Sequence, residues 1–145
     1  MSELTQSEFD YLMGQAKRFE DESTILLGPA PLQWSKKIQS ISTKDTFLLD
    51  FYRGTFRLEK YTYNHRFNQT TVLMRFDSYG EHTNPDGERI SGYHVHIYKE
   101  GFGDKFAYPA SNFGIGSTDT IEVILHKMLL YCNIRRIPPI EIPMI

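Results

Sequence analysis

Two amphipathic helices are predicted, one near each end of the chain. Apolar side chains recur every three or four residues over residues 6–20 and again after Thr118 and Asp119, which is the spacing of one buried helix face. Thr5 and Glu8 have the spacing of a capping box, so the first helix is expected to begin at residue 6. The stripe residues are Phe9, Leu12, Met13, Ala16 and Phe19, then Ile121, Ile124, Leu125, Met128 and Leu129. Each helix is therefore expected to bury one face.

From Asp45 onward the apolar pattern has a period of two, which is typical of β-strands. Strands are predicted over DTFLLDFY (45–52), TFRLEKYTY (55–63) and TTVLMRFDS (70–78). Arg53-Gly54 and NHRFNQ (64–69) are predicted as the turns between them. Alternation should place four side chains toward the helices, namely Phe47, Phe56, Met74 and Val95. The pattern indicates an antiparallel meander with one apolar face.

The sequence Asn84-Pro85-Asp86-Gly87 predicts a tight turn. The strand expected after it, Arg89 to Lys99, should carry His94, His96 and Tyr98 on one face. The isoleucine-rich and proline-rich ending is expected to lie extended along the domain or against a partner. Residues 1–145 are therefore predicted to form a single α+β domain, an antiparallel β-meander of four to six strands with N-terminal and C-terminal helices packed on one face.

The composition and the net charge indicate which broad class of protein this chain belongs to. The chain has 145 residues, 40% hydrophobic residues and a net charge of −2, which is typical of a globular domain and disfavours wholesale nucleic-acid binding. Its one cysteine, Cys132, fits a reducing cytosol and is expected in the core. The polar N-terminus lacks the pattern of a signal peptide, and no apolar run is long enough to span a bilayer. A cytoplasmic protein with no membrane partner is predicted.

The sheet face turned away from the helices is expected to be polar. By parity it collects Asp50, Arg57, Glu59, Arg75, Asp77, His94 and His96. Such a set is typical of a solvated sheet face with cross-strand ion pairs. The same residue types could also form a centre for general acid-base catalysis. Parity therefore predicts a location for the histidines without deciding their chemistry.

The spacing His94-Val95-His96 offers two imidazoles on one face of a strand. With His82 and Asp86 they would form a zinc shell, either three histidines with an open position or a closed set that includes Asp86. A metal-free alternative uses His94 or His96 as a general base or acid beside Arg75. A third reading is structural, in which these two rings and Tyr98 hold the loop at residues 77–87 by hydrogen bonds. His65 and His126 are expected to have no functional role.

Four segments carry a resemblance to a known family: LLDFYRG, LMRFDSYGEHTNPDG, HVHIYKEGFGDKFAYP and LLYCNI with the proline-rich ending. They resemble a small uncharacterised bacterial and prophage family of unknown function, over most of the chain from Phe47 onward. HTNPDG and HxHxYxEGxGDKxAYP are its most specific segments. The resemblance implies a role outside housekeeping, in mobile elements.

Two function classes follow from that context. One is a phage or prophage accessory protein that binds another macromolecule, such as an anti-CRISPR-like inhibitor of a host defence nuclease. The other is a small RNase-like toxin or nucleic-acid-processing enzyme that uses the polar sheet face; the net charge of −2 favours the binder. A homodimer through the open sheet face or the isoleucine-rich tail stays open. The predicted binding residues are Arg75, Asp77, Tyr98, Phe102 and Lys105.

Overall fold

The computed structural model describes residues 3–55, 57 and 59–143. Helix α1 spans Gln6–Gly14 and helix α2 spans Ile121–Tyr131, with a 3-10 turn at Ala110–Phe113. The strands are β1 (Lys17–Phe19), β2 (Ile25–Leu26), β3 (Leu32–Ser40), β4 (Thr46–Arg53), β5 (Thr62–Phe67), β6 (Thr71–Asp77), β7 (Glu81–Thr83), β8 (Arg89–Ser91), β9 (His94–Ile97), β10 (Ala107–Pro109), β11 (Ile134–Arg135) and β12 (Ile140–Glu141). Neither helix of this described part is long and apolar enough to cross a membrane.

The main sheet has eight strands in the order β10-β9-β6-β5-β4-β3-β1-β11. Its pairs are antiparallel except for β1 with β11, which run parallel. Two small sheets, β12-β2 and β7-β8, accompany it. The α+β class is confirmed, but the predicted meander of four to six strands is too small, because short strands near both ends of the chain extend the sheet.

Helix α1 begins as predicted and ends earlier than predicted. Thr5 and Glu8 form the capping box in both directions. The helix stops at Gly14 because Gln15 takes an extended conformation, with φ −68° and ψ 136°. Residues Lys17–Phe19 then form β1 and pair with both β3 and β11. The predicted helix over 6–20 is thus a helix followed by a strand, and Phe19 enters the core from that strand.

The second strand of the predicted meander lies later in the chain. NHRF is not a turn but the end of β5, and the turn is formed by Asn68 and Gln69, which have φ values of 52° and 78°. Phe56 and Leu58, predicted to alternate in that strand, lie outside the described residues. The prediction failed here because three consecutive polar residues, Asn64, His65 and Arg66, lie in a central strand but have the composition of a turn.

Two later predictions are modified in detail. The strand expected over 89–99 is divided into β8 and β9 at Gly92, whose φ is 77°. α2 follows the extended residue Thr120, two positions after Thr118. The ending is extended along the body, as β12 pairs in parallel with β2.

One apolar cluster joins the sheet to both helices. Phe9 and Leu12 of α1, and Leu125 and Met128 of α2, belong to the same cluster as the inward residues of β4, β5, β6 and β9. Cys132 is buried there, as predicted, and its Sγ lies 3.5 Å from the Met74 Sδ. With this face covered, the opposite face of the central strands is the one that carries polar side chains.

The core also contains a charged side chain. Lys17 is fully buried and donates from Nζ to three carbonyl oxygens, those of Cys132 at 2.8 Å, Gln15 at 3.1 Å and Met13 at 3.3 Å. Burial lowers the pKa of Lys17 to about 8, so the amine is still mainly charged at neutral pH. Lys17 thereby ties the end of α1 to the end of α2.

Candidate metal centre

Two cross-strand rows of polar residues build the candidate site. The first row runs through directly paired residues of five strands: Ser35, Asp50, Asn64, Arg75 and His96. The second row lies beside it: Gln33, Tyr52, Thr62, Asp77 and His94. All ten residues point to the polar face of the sheet. Together they line a groove of about 660 Å³. The histidine pair lies at one end of both rows.

Three side chains converge at that end of the groove. The Asp77 Oδ2 lies 3.3 Å from the His96 Nε2 and 3.5 Å from the His94 Nε2. One ligand atom from each of the three residues lies within 4.8 Å of the other two. Tetrahedral zinc with bonds of about 2.0–2.1 Å requires ligand atoms roughly 3.3 Å apart. The two oxygen-nitrogen distances match that spacing, so Asp77, His94 and His96 could hold a metal ion.

Backbone carbonyls orient both imidazoles. The His94 Nδ1 lies 2.8 Å from the Gly92 oxygen, and the His96 Nδ1 lies 2.8 Å from the Asp104 oxygen. Because a carbonyl oxygen can only accept, each Nδ1 carries a proton and donates it. The Nε2 atoms therefore face the groove, and such a fixed distal nitrogen is typical of metal-binding histidines.

Arg75 supplies a positive charge to the same three residues. Its Nε donates to the Asp77 Oδ2 at 3.1 Å, its Nη1 to the Asp104 Oδ2 at 3.1 Å and its Nη2 to the His96 Nε2 at 3.0 Å. Because a guanidinium group can only donate, the His96 Nε2 is the acceptor of this hydrogen bond. A metal ion at this site would compete with the Arg75 guanidinium for the His96 nitrogen.

The carboxylate of Asp77 organises the charge at this end. Burial alone would raise the pKa of Asp77, but the hydrogen bond with His94, the charge of Arg75 and a hydrogen bond from the Thr62 hydroxyl together lower it well below its usual range. Burial also opposes the charged form of His94, yet its contacts with Asp77 and the Gly92 carbonyl raise the pKa of His94. Asp77 is therefore ionised at neutral pH, and its negative charge faces both imidazoles and the Arg75 guanidinium.

A second ion pair forms the middle of the groove floor. The Asp50 carboxylate accepts from the Arg66 Nε at 2.6 Å and Nη2 at 3.1 Å, from the Ser35 Oγ at 2.6 Å and from the Asn64 Nδ2 at 3.1 Å. Burial acts against this carboxylate, but the four donors together lower the pKa of Asp50. The Asp50 carboxylate is thus saturated with hydrogen bonds, whereas the buried Asn64 Oδ1 beside it has no hydrogen-bond partner.

The structure places the predicted zinc ligands in two different surroundings. His94 and His96 are brought together, with Asp77 rather than Asp86 as the adjacent carboxylate. Asp86 is exposed in the β7-β8 turn, where its Oδ1 accepts from the Glu88 backbone nitrogen at 3.0 Å. The His82 ring lies 4.6 Å from the His96 ring, but its Nε2 donates to the Lys105 carbonyl at 2.6 Å. His82 lines the groove as a neighbour of the convergent trio.

The HTNPDG segment forms a hairpin that is fixed to the main sheet. Asn84 is buried, and its side chain donates to the Ala107 carbonyl at 2.9 Å and accepts from the Ala107 nitrogen at 2.8 Å. Together with the bond from His82 to Lys105, this pair joins the β7-β8 hairpin to β10. The hairpin therefore places His82 beside His96. The structural reading assigned the holding of this loop to His94, His96 and Tyr98, whereas their hydrogen bonds go to the carbonyls of Gly92, Asp104 and Leu4.

The predicted binding residues divide between the groove and other surfaces. Arg75 and Asp77 line the groove, whereas Tyr98 is buried and donates from its hydroxyl to the Leu4 carbonyl at 2.6 Å. Phe102 is exposed and packs edge-on against Phe106 in the loop before β10. The side chain of Lys105 is exposed in the same loop. Tyr98 turns inward because it follows the end of β9, where alternation no longer applies.

One family model matches most of the chain. A model described as a family of unknown function, DUF6978, matches residues 4–134. The chain belongs to the DUF6978 family. No curated protein and no solved structure matches it. The predicted resemblance to an uncharacterised family is confirmed, and the link to prophages stays a prediction.

Several groove residues of this DUF6978 protein were missed or misplaced by the sequence patterns. Thr62, Asn64 and Arg66 line the groove from β5, because the strand covers residues predicted as a turn. Arg57 and Glu59, predicted on the polar face, lie outside the strands, and the Arg57 guanidinium is 4.5 Å from the Tyr79 ring centre. The sequence signal for β5 would have been the alternation of ring side chains at residues 63, 65 and 67 with polar side chains between them.

Proposed function

We propose that this DUF6978 protein binds a divalent transition metal ion, zinc, through Asp77, His94 and His96. One observation carries the proposal: two imidazole Nε2 atoms, each with its Nδ1 proton given to a backbone carbonyl, converge on one carboxylate oxygen. Imidazole nitrogen and carboxylate oxygen are common zinc ligands. The ionised Asp77 carboxylate attracts a cation, and Arg75 is the positive charge with which a metal ion would compete there.

The position of Arg75 leads to a prediction that separates a metal site from an anion site. Arg75→Gln is expected to strengthen zinc binding by roughly tenfold, because it removes a cation that shares Asp77 and His96 with the metal. Calorimetric titration of the full chain with zinc measures the affinity, with one ion per chain expected for the wild type. The matched control is Arg89→Gln, which removes a charge paired with Glu81 on the hairpin and should leave the affinity unchanged.

A weaker affinity in Arg75→Gln than in the wild type would contradict this geometry. It would mean that Arg75 holds Asp77 and His96 in position for the ion instead of competing with it. Absence of zinc binding in the wild type would remove the metal proposal altogether.

We further propose that the groove recognises a macromolecule, with a host defence nuclease as the partner predicted from the sequence context. The groove is open and polar, and Tyr52 and Tyr79 on its lining are 48% and 37% exposed. Exposed tyrosines are frequent anchors in protein interfaces. Capture from a bacterial host with the wild-type chain should retain one partner that Tyr79→Ala loses. Tyr11→Ala, which alters an exposed tyrosine of α1, should retain it, and equal loss in both variants would contradict the groove as the interface.

A second candidate is hydrolysis of nucleic acid. Three protein ligands would leave one position of a four-coordinate zinc ion for water or substrate, which is the pattern of catalytic rather than structural zinc. On this alternative, the zinc-loaded chain cleaves RNA and Asp77→Asn does not. Intact RNA after incubation with zinc-loaded wild type would leave binding as the function of the groove.

A further inference from the structure

A cluster of three arginines lies at the opposite end of the main sheet from the metal centre. This arginine cluster consists of Arg18 on β1, Arg135 on β11 and Arg136, which directly follows β11. All three are exposed, and with Ile41 they line a hollow of about 360 Å³. Among the residues that the structure describes, no acidic side chain lines this hollow, so its local charge is strongly positive although the whole chain carries −2.

The side chains of the arginine cluster differ from the other arginines in having no acceptor. Within residues 3–55, 57 and 59–143 they make no hydrogen bond or ion pair. Every other arginine side chain contacts an acceptor or an aromatic ring; these are Arg53, Arg57, Arg66, Arg75 and Arg89. The cluster therefore has guanidinium donors available for a ligand.

The strand register holds two of these charges together. Arg18 and Arg135 are directly paired residues of the parallel strands β1 and β11, so their Cα atoms are about 5 Å apart. Lys17 and Ile134, the preceding pair, are buried, so Arg18 and Arg135 project to the outer face. Like charges directly opposite each other on paired strands are destabilising. Arg136 adds a third charge at the position where its own φ of 53° turns the chain.

We propose that the arginine cluster binds a compact, multiply charged phosphate group. A phosphate monoester carries about −1.5 to −2 at neutral pH, which suits three adjacent guanidinium groups better than a single carboxylate does. Guanidinium groups also match phosphate oxygens with paired hydrogen bonds. Ile41 is 54% exposed in the same hollow and offers an apolar contact to whatever group carries the phosphate. Bound phosphate would also relieve the repulsion between Arg18 and Arg135.

The test is calorimetric titration of the metal-free full chain with inorganic pyrophosphate at low salt. Binding is expected, and Arg18→Gln and Arg135→Gln should each weaken it on the order of tenfold, because each removes charge-assisted hydrogen bonds. Arg89→Gln is the matched control, since it removes one exposed arginine elsewhere, and it should leave the affinity unchanged. Asp77→Asn should also leave it unchanged, which separates this site from the metal centre.

A short single-stranded DNA, with and without a 5′-phosphate, identifies the source of the phosphate. If pyrophosphate binds and neither DNA binds, the ligand is a free small molecule. If pyrophosphate and the 5′-phosphorylated DNA bind but the unphosphorylated DNA does not, the ligand is the end of a nucleic acid. Equal binding of both DNA forms would overturn the proposal, because it would indicate general affinity for phosphodiesters. Absence of pyrophosphate binding, or equal weakening by Arg89→Gln and Arg18→Gln, would overturn it as well.

Thermal unfolding gives an independent check that the variants fold. Without phosphate, Arg18→Gln should unfold at the same temperature as the wild type or higher, since it removes a like-charge contact with Arg135. Pyrophosphate should raise the unfolding temperature of the wild type and not that of Arg18→Gln. An equal rise in both proteins would contradict binding at this cluster.

Discussion

Asp77→Asn is expected to weaken zinc binding by about 100-fold or more. Changes to residues that only support a metal ligand commonly cost about 10–100-fold in affinity, and Asp77 would be a direct ligand that also supplies the negative charge of the site. Asparagine keeps an oxygen that can accept from Thr62, which now donates to the Asp77 Oδ1 at 2.9 Å. The strand pairing of β6 should therefore survive, and calorimetric titration with zinc measures the loss.

Asp86→Asn is the matched control for this variant. It removes the same charge from the exposed turn of the β7-β8 hairpin, so zinc affinity should stay at the wild-type value. Equal losses in the two variants would indicate a general effect of charge, and a loss confined to Asp86→Asn would restore the closed ligand set predicted from the sequence. Thermal unfolding of both variants shows whether either loss comes from misfolding.

Lys17→Ala is expected to lower the free energy of unfolding by about 3 kcal/mol. The change leaves three buried carbonyl oxygens with one donor fewer, and each unsatisfied group costs roughly 1–3 kcal/mol, partly offset by removal of a buried charge. Chemical denaturation measures the difference. Lys37→Ala, at an exposed position of β3, should change the free energy by no more than about 0.5 kcal/mol. Equal effects of the two substitutions would contradict the role of Lys17 in joining the helix ends.

The same amine gives the stability a pH dependence. Because the folded-state pKa of Lys17 is lowered to about 8 from its ordinary value of 10.5, the unfolded chain binds more protons between these two values. The contribution of Lys17 to the free energy of unfolding therefore rises as pH increases from about 8 to 10.5. Lys17→Met lacks this rise while keeping much of the side-chain volume, so the difference between the two denaturation curves isolates the titration of Lys17.

The histidine pair shows what local alternation can predict. His94 and His96 do face the polar side of a strand, and five of the seven polar-face residues expected from parity line the groove. Alternation along a strand could not predict which carboxylate lies beside the two histidines. Asp77 lies beside them because β6 pairs with β9 in one particular register, across a hairpin of intervening chain. Register between distant strands depends on packing of the whole sheet, which no local pattern contains.

β5 shows why the middle of the groove was missed. Its inner face carries Tyr63 and the buried His65, and its outer face carries Asn64 and Arg66. Polar residues on both faces suggest a turn when they are read alone, but Arg66 is neutralised by Asp50 from the neighbouring strand. Burial lowers the pKa of His65 to about 3, so this histidine is neutral in the core and has no exposure to the groove.

Lys17 was missed for a related reason. A lysine next to an apolar stripe is usually a surface residue, because burying an ammonium group costs several kcal/mol unless acceptors surround it. Here the acceptors come from the ends of two helices about 115 residues apart in sequence. Such a convergence of carbonyl groups depends on the complete fold and leaves no signal around residue 17.

X-ray absorption at the zinc edge of the zinc-loaded chain tests the proposed metal centre most directly. The expected spectrum is that of one zinc ion with two imidazole nitrogen ligands and otherwise oxygen ligands, and the imidazole contribution should fall in His96→Ala. A sulfur ligand would place the ion at Cys132, and a spectrum without imidazole ligands would place it on surface carboxylates. Either result would contradict a site formed by Asp77, His94 and His96.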